Sequence, residues 1–134
     1  MPKKKVVAKV FQSVMCLLAA MLILSLTLIM IGMASYGHIE YLMESNGVNV
    51  LRLSNDAYRH EAAGHDVCSL YGFYAADELR IYLNDSCAWD WWFLAHESGH
   101  HCAVAYEGDY SEPRADAIAY ELIFTGGYRK PADQ

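Results

Sequence analysis

The stretch Trp89-Asp90-Trp91-Trp92-Phe93-Leu94-Ala95-His96-Glu97-Ser98-Gly99-His100-His101-Cys102-Ala103-Val104 decides how the rest of the chain is read. Trp89, Trp92, Phe93, His96, Glu97, His100, Ala103 and Val104 recur at steps of three and four, the period of one helix face. That face carries apolar bulk and ionisable groups together, so the predicted helix turns its polar groups toward the interior. His96 and His100 are four residues apart and project from one side about a turn apart, where two imidazole nitrogens can meet one tetrahedral ion. Glu97 is poorly placed as a third ligand on that turn and well placed to take a proton from a metal-activated water.

Downstream, Gly108-Asp109-Tyr110-Ser111 reads as a loop, and a further helix is expected from Glu112 to Phe124, stopped by Gly126-Gly127. A catalytic zinc site needs three protein ligands and an open position, and the candidates for the third are Glu112, Asp116 and Glu121. Glu112 and Asp116 stand at i and i+4, so one carboxylate can reach the metal while the other orients a ligand histidine through its ring N–H. Glu112 is taken as the ligand, and Glu121 points elsewhere. The bland reading, two core histidines, demands several hydrogen-bond partners to offset burial. His60-Glu61-Ala62-Ala63-Gly64-His65 imitates the motif, but its histidines are five apart, which turns the second about 140° away on a helix. His101, rotated about 100° from His100, is expected to pack or support rather than ligate.

Upstream, Leu70–Tyr74 and Leu79–Leu83 read as a β-hairpin, Leu51–Ala63 as a helix, and Asn46-Gly47 as a turn. From Val10 to Gly37 no residue is charged, and Leu17–Met33 is almost wholly aliphatic, enough at about 1.5 Å per residue to cross a bilayer core of about 30 Å. A cleaved signal peptide is the alternative, with small residues at Gly32-Met33-Ala34, but the run exceeds the usual apolar segment of about 7–15 residues.

Four of the ten basic residues, Lys3, Lys4, Lys5 and Lys9, precede the run, leaving six basic against sixteen acidic residues beyond it. The lysine bias predicts a single-pass protein with a cytoplasmic N-terminus and an extracytoplasmic domain. The acidic remainder excludes nucleic acid as a partner. Cys16 falls in the span, and Cys68, Cys87 and Cys102 lack paired Cys-x-x-Cys spacing, so they read as small apolar residues, with a Cys68–Cys87 bridge as an open alternative.

Taken together, Leu79-Arg80-Ile81-Tyr82-Leu83-Asn84, Phe93-Leu94-Ala95-His96-Glu97-Ser98-Gly99-His100 and Glu112-Pro113-Arg114-Ala115-Asp116-Ala117-Ile118-Ala119 resemble the small gluzincin-type metallopeptidases of the ImmA/IrrE group, over roughly residues 70–124. The resemblance implies His96, His100 and Glu112 as zinc ligands, Glu97 as general base, Asp116 as support, and cleavage of peptide bonds. Two departures stand out. Pro113 disfavours helical geometry at Glu112, which would make Asp116 the substitute ligand. The anchor moves the site across the membrane, whereas the familiar members act on cytoplasmic repressors.

The expected fold is α+β: a transmembrane helix followed by a minimal zincin-like domain of helix, β-hairpin, active-site helix and C-terminal ligand helix. Its expected division is a basic N-terminus (1–9), an anchor (10–37), a linker (38–50), a metallopeptidase-like domain (51–130) and a tail (131–134). The expected function is a membrane-anchored zinc metalloendopeptidase acting on a peptide or protein. The alternatives are a zinc-stabilised interaction module without catalysis and a membrane-partner protein whose span does the work.

Overall fold

The structure, a computed structural model, describes residues 2–129, with side chains from residue 6 onward. It is α+β. Helix α1 spans Pro2–Ser45, followed by strand β1 (Asn49–Leu53), helix α2 (Asn55–Gly64), strands β2 (Gly72–Ala75) and β3 (Arg80–Asn84), and helices α3 (Asp90–Glu107) and α4 (Glu112–Thr125). The chain divides into two compact units, one ending at Ile31 and the other beginning at Gly32.

In the first unit most of the described apolar side chains of α1 are exposed, as at Leu17, Met21 and Leu24. The segment is long and apolar enough to cross a membrane, with a mean hydropathy of 2.8.

The second unit is built on a sheet of order β1-β3-β2. β3 pairs in parallel with β1, with Val50 opposite Ile81, and antiparallel with β2, with Phe73 opposite Tyr82. The alternation of side chains sorts the sheet into two faces. Leu51, Leu53, Phe73, Ala75 and Tyr82 pack with Tyr58 and Ala62 of α2 and with Val67. Gly72, Tyr74 and Leu83 line the opposite face, where α3 lies, and α4 packs on α3 in turn.

Two expectations about the stretch before β2 need correction. Residues 38–50 are not a linker: α1 continues helical to Ser45, and Ile39, Met43 and Val48 are buried in the core. Arg52 secures the junction, donating to Tyr36 and to Glu40 at 3.0 Å. Nor is 51–63 a single helix, because Asn49–Leu53 forms β1 and α2 starts only at Asn55. Five residues of Asn-Val-Leu-Arg-Leu carry too weak a local pattern, and what makes them a strand is the ladder with β3, some thirty residues on. The hairpin, α3 and α4 lie where the sequence indicates, and Gly126 closes α4 in the left-handed conformation at φ 73°.

No Cys68–Cys87 bridge forms; both thiols are free, Cys68 is exposed, and only Cys102 is the buried apolar residue expected of all three.

Candidate metal centre

The centre is set by the crossing of α3 and α4. A Cβ on Gly99 would stand 2.2 Å from the carbonyl oxygen of Ala115, so only glycine lets the two backbones approach this closely. Ala95, Ala103, Ala115 and Ala119, all fully buried, put small side chains on the turns to either side. The first turn of α4 is thereby brought over the exposed side of the His96–His100 face.

Glu112 opens α4, and Pro113 sits in that first turn, where a missing N–H disrupts no helical hydrogen bond. Pro113 therefore does not divert Glu112. The carboxylate reaches both imidazoles: Oε2 lies 3.1 Å from Nε2 of His96 and Oε1 lies 3.3 Å from Nε2 of His100. His96, His100 and Glu112 form a candidate metal-binding triad whose ligand atoms lie within 4.8 Å of one another.

Asp116, one turn along, occupies the other nitrogen. Its Oδ1 is 2.8 Å from Nδ1 of His96, which fixes that ring nitrogen as the donor and leaves Nε2 as the free lone pair facing Glu112. Asp116 is thus paired with His96 through Nδ1 and stands outside the candidate triad. Burial lowers the pKa of His100, favouring the neutral imidazole that a metal requires.

Glu97 is 6% exposed and faces the sheet, with its Cγ 3.4 Å from where a Cβ on Gly72 would lie. Burial pushes its carboxyl up to about 7; the Glu112 charge raises it further, while His96 and the backbone N–H of Tyr74 oppose the rise. Glu97 and the triad line one cleft of about 390 Å³, whose wall is Gly72, Phe73 and Tyr74 of β2 and whose mouth includes Tyr110.

The remaining candidates are elsewhere. His101 is buried against Tyr74, with Nδ1 2.9 Å from the phenol oxygen, and Glu121 accepts the backbone N–H of Arg129. His65 packs with tilted rings against Phe73 and Tyr82.

Three residues of the cleft were not legible as such in the sequence. Gly72 has a faint signal, a glycine opening an aromatic strand, which marks close approach of another group. Tyr74 acts through its backbone, which no side-chain pattern encodes. Tyr110 lies in a loop whose path only the fold defines. Compared with protein-family models, with curated proteins and with solved structures, the chain matches none of them.

Proposed function

We propose that this chain is a membrane-anchored, zinc-dependent metallopeptidase with a minimal zincin-like domain, of the kind that the ImmA/IrrE resemblance implies. The observation carrying this reading is that His96, His100 and Glu112 converge while the buried Glu97 lines the same cleft.

The donor set fits zinc. Two ligands on a tetrahedral zinc with bonds of about 2.0–2.1 Å are about 3.3 Å apart, and the carboxylate oxygens of Glu112 lie 3.1 and 3.3 Å from the two Nε2 atoms. When bound, zinc lowers the pKa of water to about 7 and polarises a carbonyl. The chain supplies the rest. Asp116 holds the His96 tautomer, and Glu112 supplies charge to balance the cation. Glu97, with its carboxyl held near neutrality, takes a proton from the attacking water and hands it to the leaving amine. β2 is one of the two edge strands of the sheet, and its Gly72–Tyr74 segment borders the cleft, so an extended peptide can lie alongside it by strand addition.

A purely structural zinc site would close with four protein ligands. Among the described residues the group holds three, with Asp116 committed to Nδ1 of His96, and this favours catalysis over the zinc-stabilised module. The lysines before the apolar run favour an extracytoplasmic domain and therefore an extracytoplasmic substrate.

The test is a pair of measurements on the full chain in detergent or vesicles: zinc content by elemental analysis, and hydrolysis of a peptide library read by mass spectrometry. Glu97→Gln should retain zinc and lose turnover by about 1,000-fold or more. Undiminished turnover in that variant would end the peptidase reading.

A further inference from the structure

All three tryptophans of the chain, Trp89, Trp91 and Trp92, are crowded at the start of α3. Trp91 packs on Gly32 so closely that a Cβ there would stand 2.4–2.7 Å from its indole carbons. Gly32 belongs to the last turn of the apolar run that ends at Met33. From this contact the end of α1 runs beside α3 in the same direction, since Leu42 and Met43 share a cavity with His101, Cys102 and Tyr106. The first turn of α3 is therefore level with Gly32, where the domain begins, and from there α3 and the stretch from Gly32 to Met43 run the same way.

That end of the domain is aromatic and open. Trp89 is 53% exposed and Tyr71 46%, and Leu70 beside it is also exposed. Tyr71 stacks on Phe93 at 4.8 Å between centroids, and Trp92 lies 5.1 Å from Tyr120, which is exposed with Phe124 on α4. Between Tyr71, Trp89 and Trp91 is an apolar hollow of about 510 Å³. Exposed Leu, Phe and Trp in such density are costly in water. Indole and phenol rings, apolar in body with a polar edge, are the side chains that collect where a membrane span meets water.

We infer that this aromatic end of the domain is seated in the lipid interface beside the exit of α1, as a second membrane contact in addition to the span. The occupant of the hollow is lipid, at the depth of the upper acyl chain. The inference rests on reading the apolar run of α1 as a membrane span. His96 is five residues beyond Trp91, about 7.5 Å along the helix axis, so the cleft belongs to the turns of α3 next to this aromatic end.

Because the chain's only tryptophans are these three, its tryptophan emission, excited selectively over the tyrosines, reports on this patch alone. The full chain is reconstituted in phosphatidylcholine vesicles, with and without lipid brominated near the top of the acyl chain. The span is checked on the same vesicles by extraction with alkaline carbonate. Seating in the interface gives retention in carbonate, roughly twofold or greater loss of emission in brominated lipid, and weak quenching by aqueous acrylamide. The variant Trp91→Phe, Trp92→Phe, which leaves Trp89, keeps that behaviour. Retention with emission indifferent to bromine overturns the inference and leaves the span intact; if that emission is also shielded from acrylamide, a second protein copy covers the patch. Release by carbonate overturns the span, and the inference with it.

Discussion

The chain contains two helices with a His-Glu beginning and a Gly-His end, and only one of them builds a site. On α3, His96 and His100 lie on one side with ring centroids 4.8 Å apart, and both face Glu112. On α2, His60 is exposed, while His65 is turned against Phe73 and Tyr82 with its Nε2 3.5 Å from Glu78. One extra residue between the histidines separates the two cases, because a helix rotates about 100° per residue. Spacing alone is still insufficient. α3 also has a second helix pressed against it at Gly99 to deliver a carboxylate, whereas the space around Gly64, its counterpart, is open within 4 Å. A metal site of this kind is therefore a property of a helix pair, and the short motif is its visible half.

The largest expected effect tests that asymmetry directly. His100→Ala should abolish stoichiometric zinc binding, because two ligands cannot hold the ion against dialysis, whereas His65→Ala and His60→Ala should leave zinc content unchanged. Elemental analysis of the three purified variants checks this, and equal loss in His65→Ala would erase the distinction between the two helices.

Gly99→Ala comes next and probes the second half of the site. In an isolated helix the exchange would stabilise by about 1 kcal/mol. Here the new methyl would meet the Ala115 carbonyl at 2.2 Å, and overpacking of a rigid backbone contact reverses the sign to a loss of about 3 kcal/mol. Chemical denaturation followed by circular dichroism reads the stability. Zinc affinity should fall with it, since Glu112 is carried on the displaced helix.

This comparison also explains what was legible in the sequence. The α3 face, the four-residue histidine spacing and the extent of α4 follow from local periodicity, and the structure agrees with each. The sequence favours Glu112 over Asp116 although Pro113 follows it, and the tight Gly99–Ala115 crossing is what brings its carboxylate over the histidines. β1 and the helical continuation through residues 38–45 were misread because both depend on distant partners. The strand needs β3, and Ile39 and Met43 are buried in the core of the unit that the rest of the chain forms. A segment that looks like a polar spacer between an anchor and a domain is in fact a wall of the domain.

Glu107, the last residue of α3, sharpens the same point, because its partner Arg114 lies in the first turn of α4. Its carboxylate accepts two hydrogen bonds from Arg114, at 2.6 and 2.5 Å, and one from the hydroxyl of Tyr128. The Arg114 bonds, then that of Tyr128, hold its carboxyl down from an ordinary 4.5 to about 2. A carboxyl depressed in the folded state stabilises above its unfolded value, so the contribution is complete above pH 4.5 and is lost as pH falls toward 2. Glu107→Gln should cost about 1 kcal/mol at neutral pH and flatten the acid side of the stability profile, read as denaturation midpoints at a series of pH values.

The smallest effect comes from a helical glycine with open space around it. Gly64 ends α2 without a positive φ, and a Cβ there would meet nothing within 4 Å. Gly64→Ala should therefore follow backbone entropy alone and raise stability by about 0.5 kcal/mol, with zinc binding untouched. Measured beside Gly99→Ala, it separates the intrinsic helix preference of alanine from the steric demand of a helix crossing. Should both exchanges stabilise, the close approach of α3 to α4 would be wrong, and the route by which Glu112 reaches the two histidines would be wrong with it.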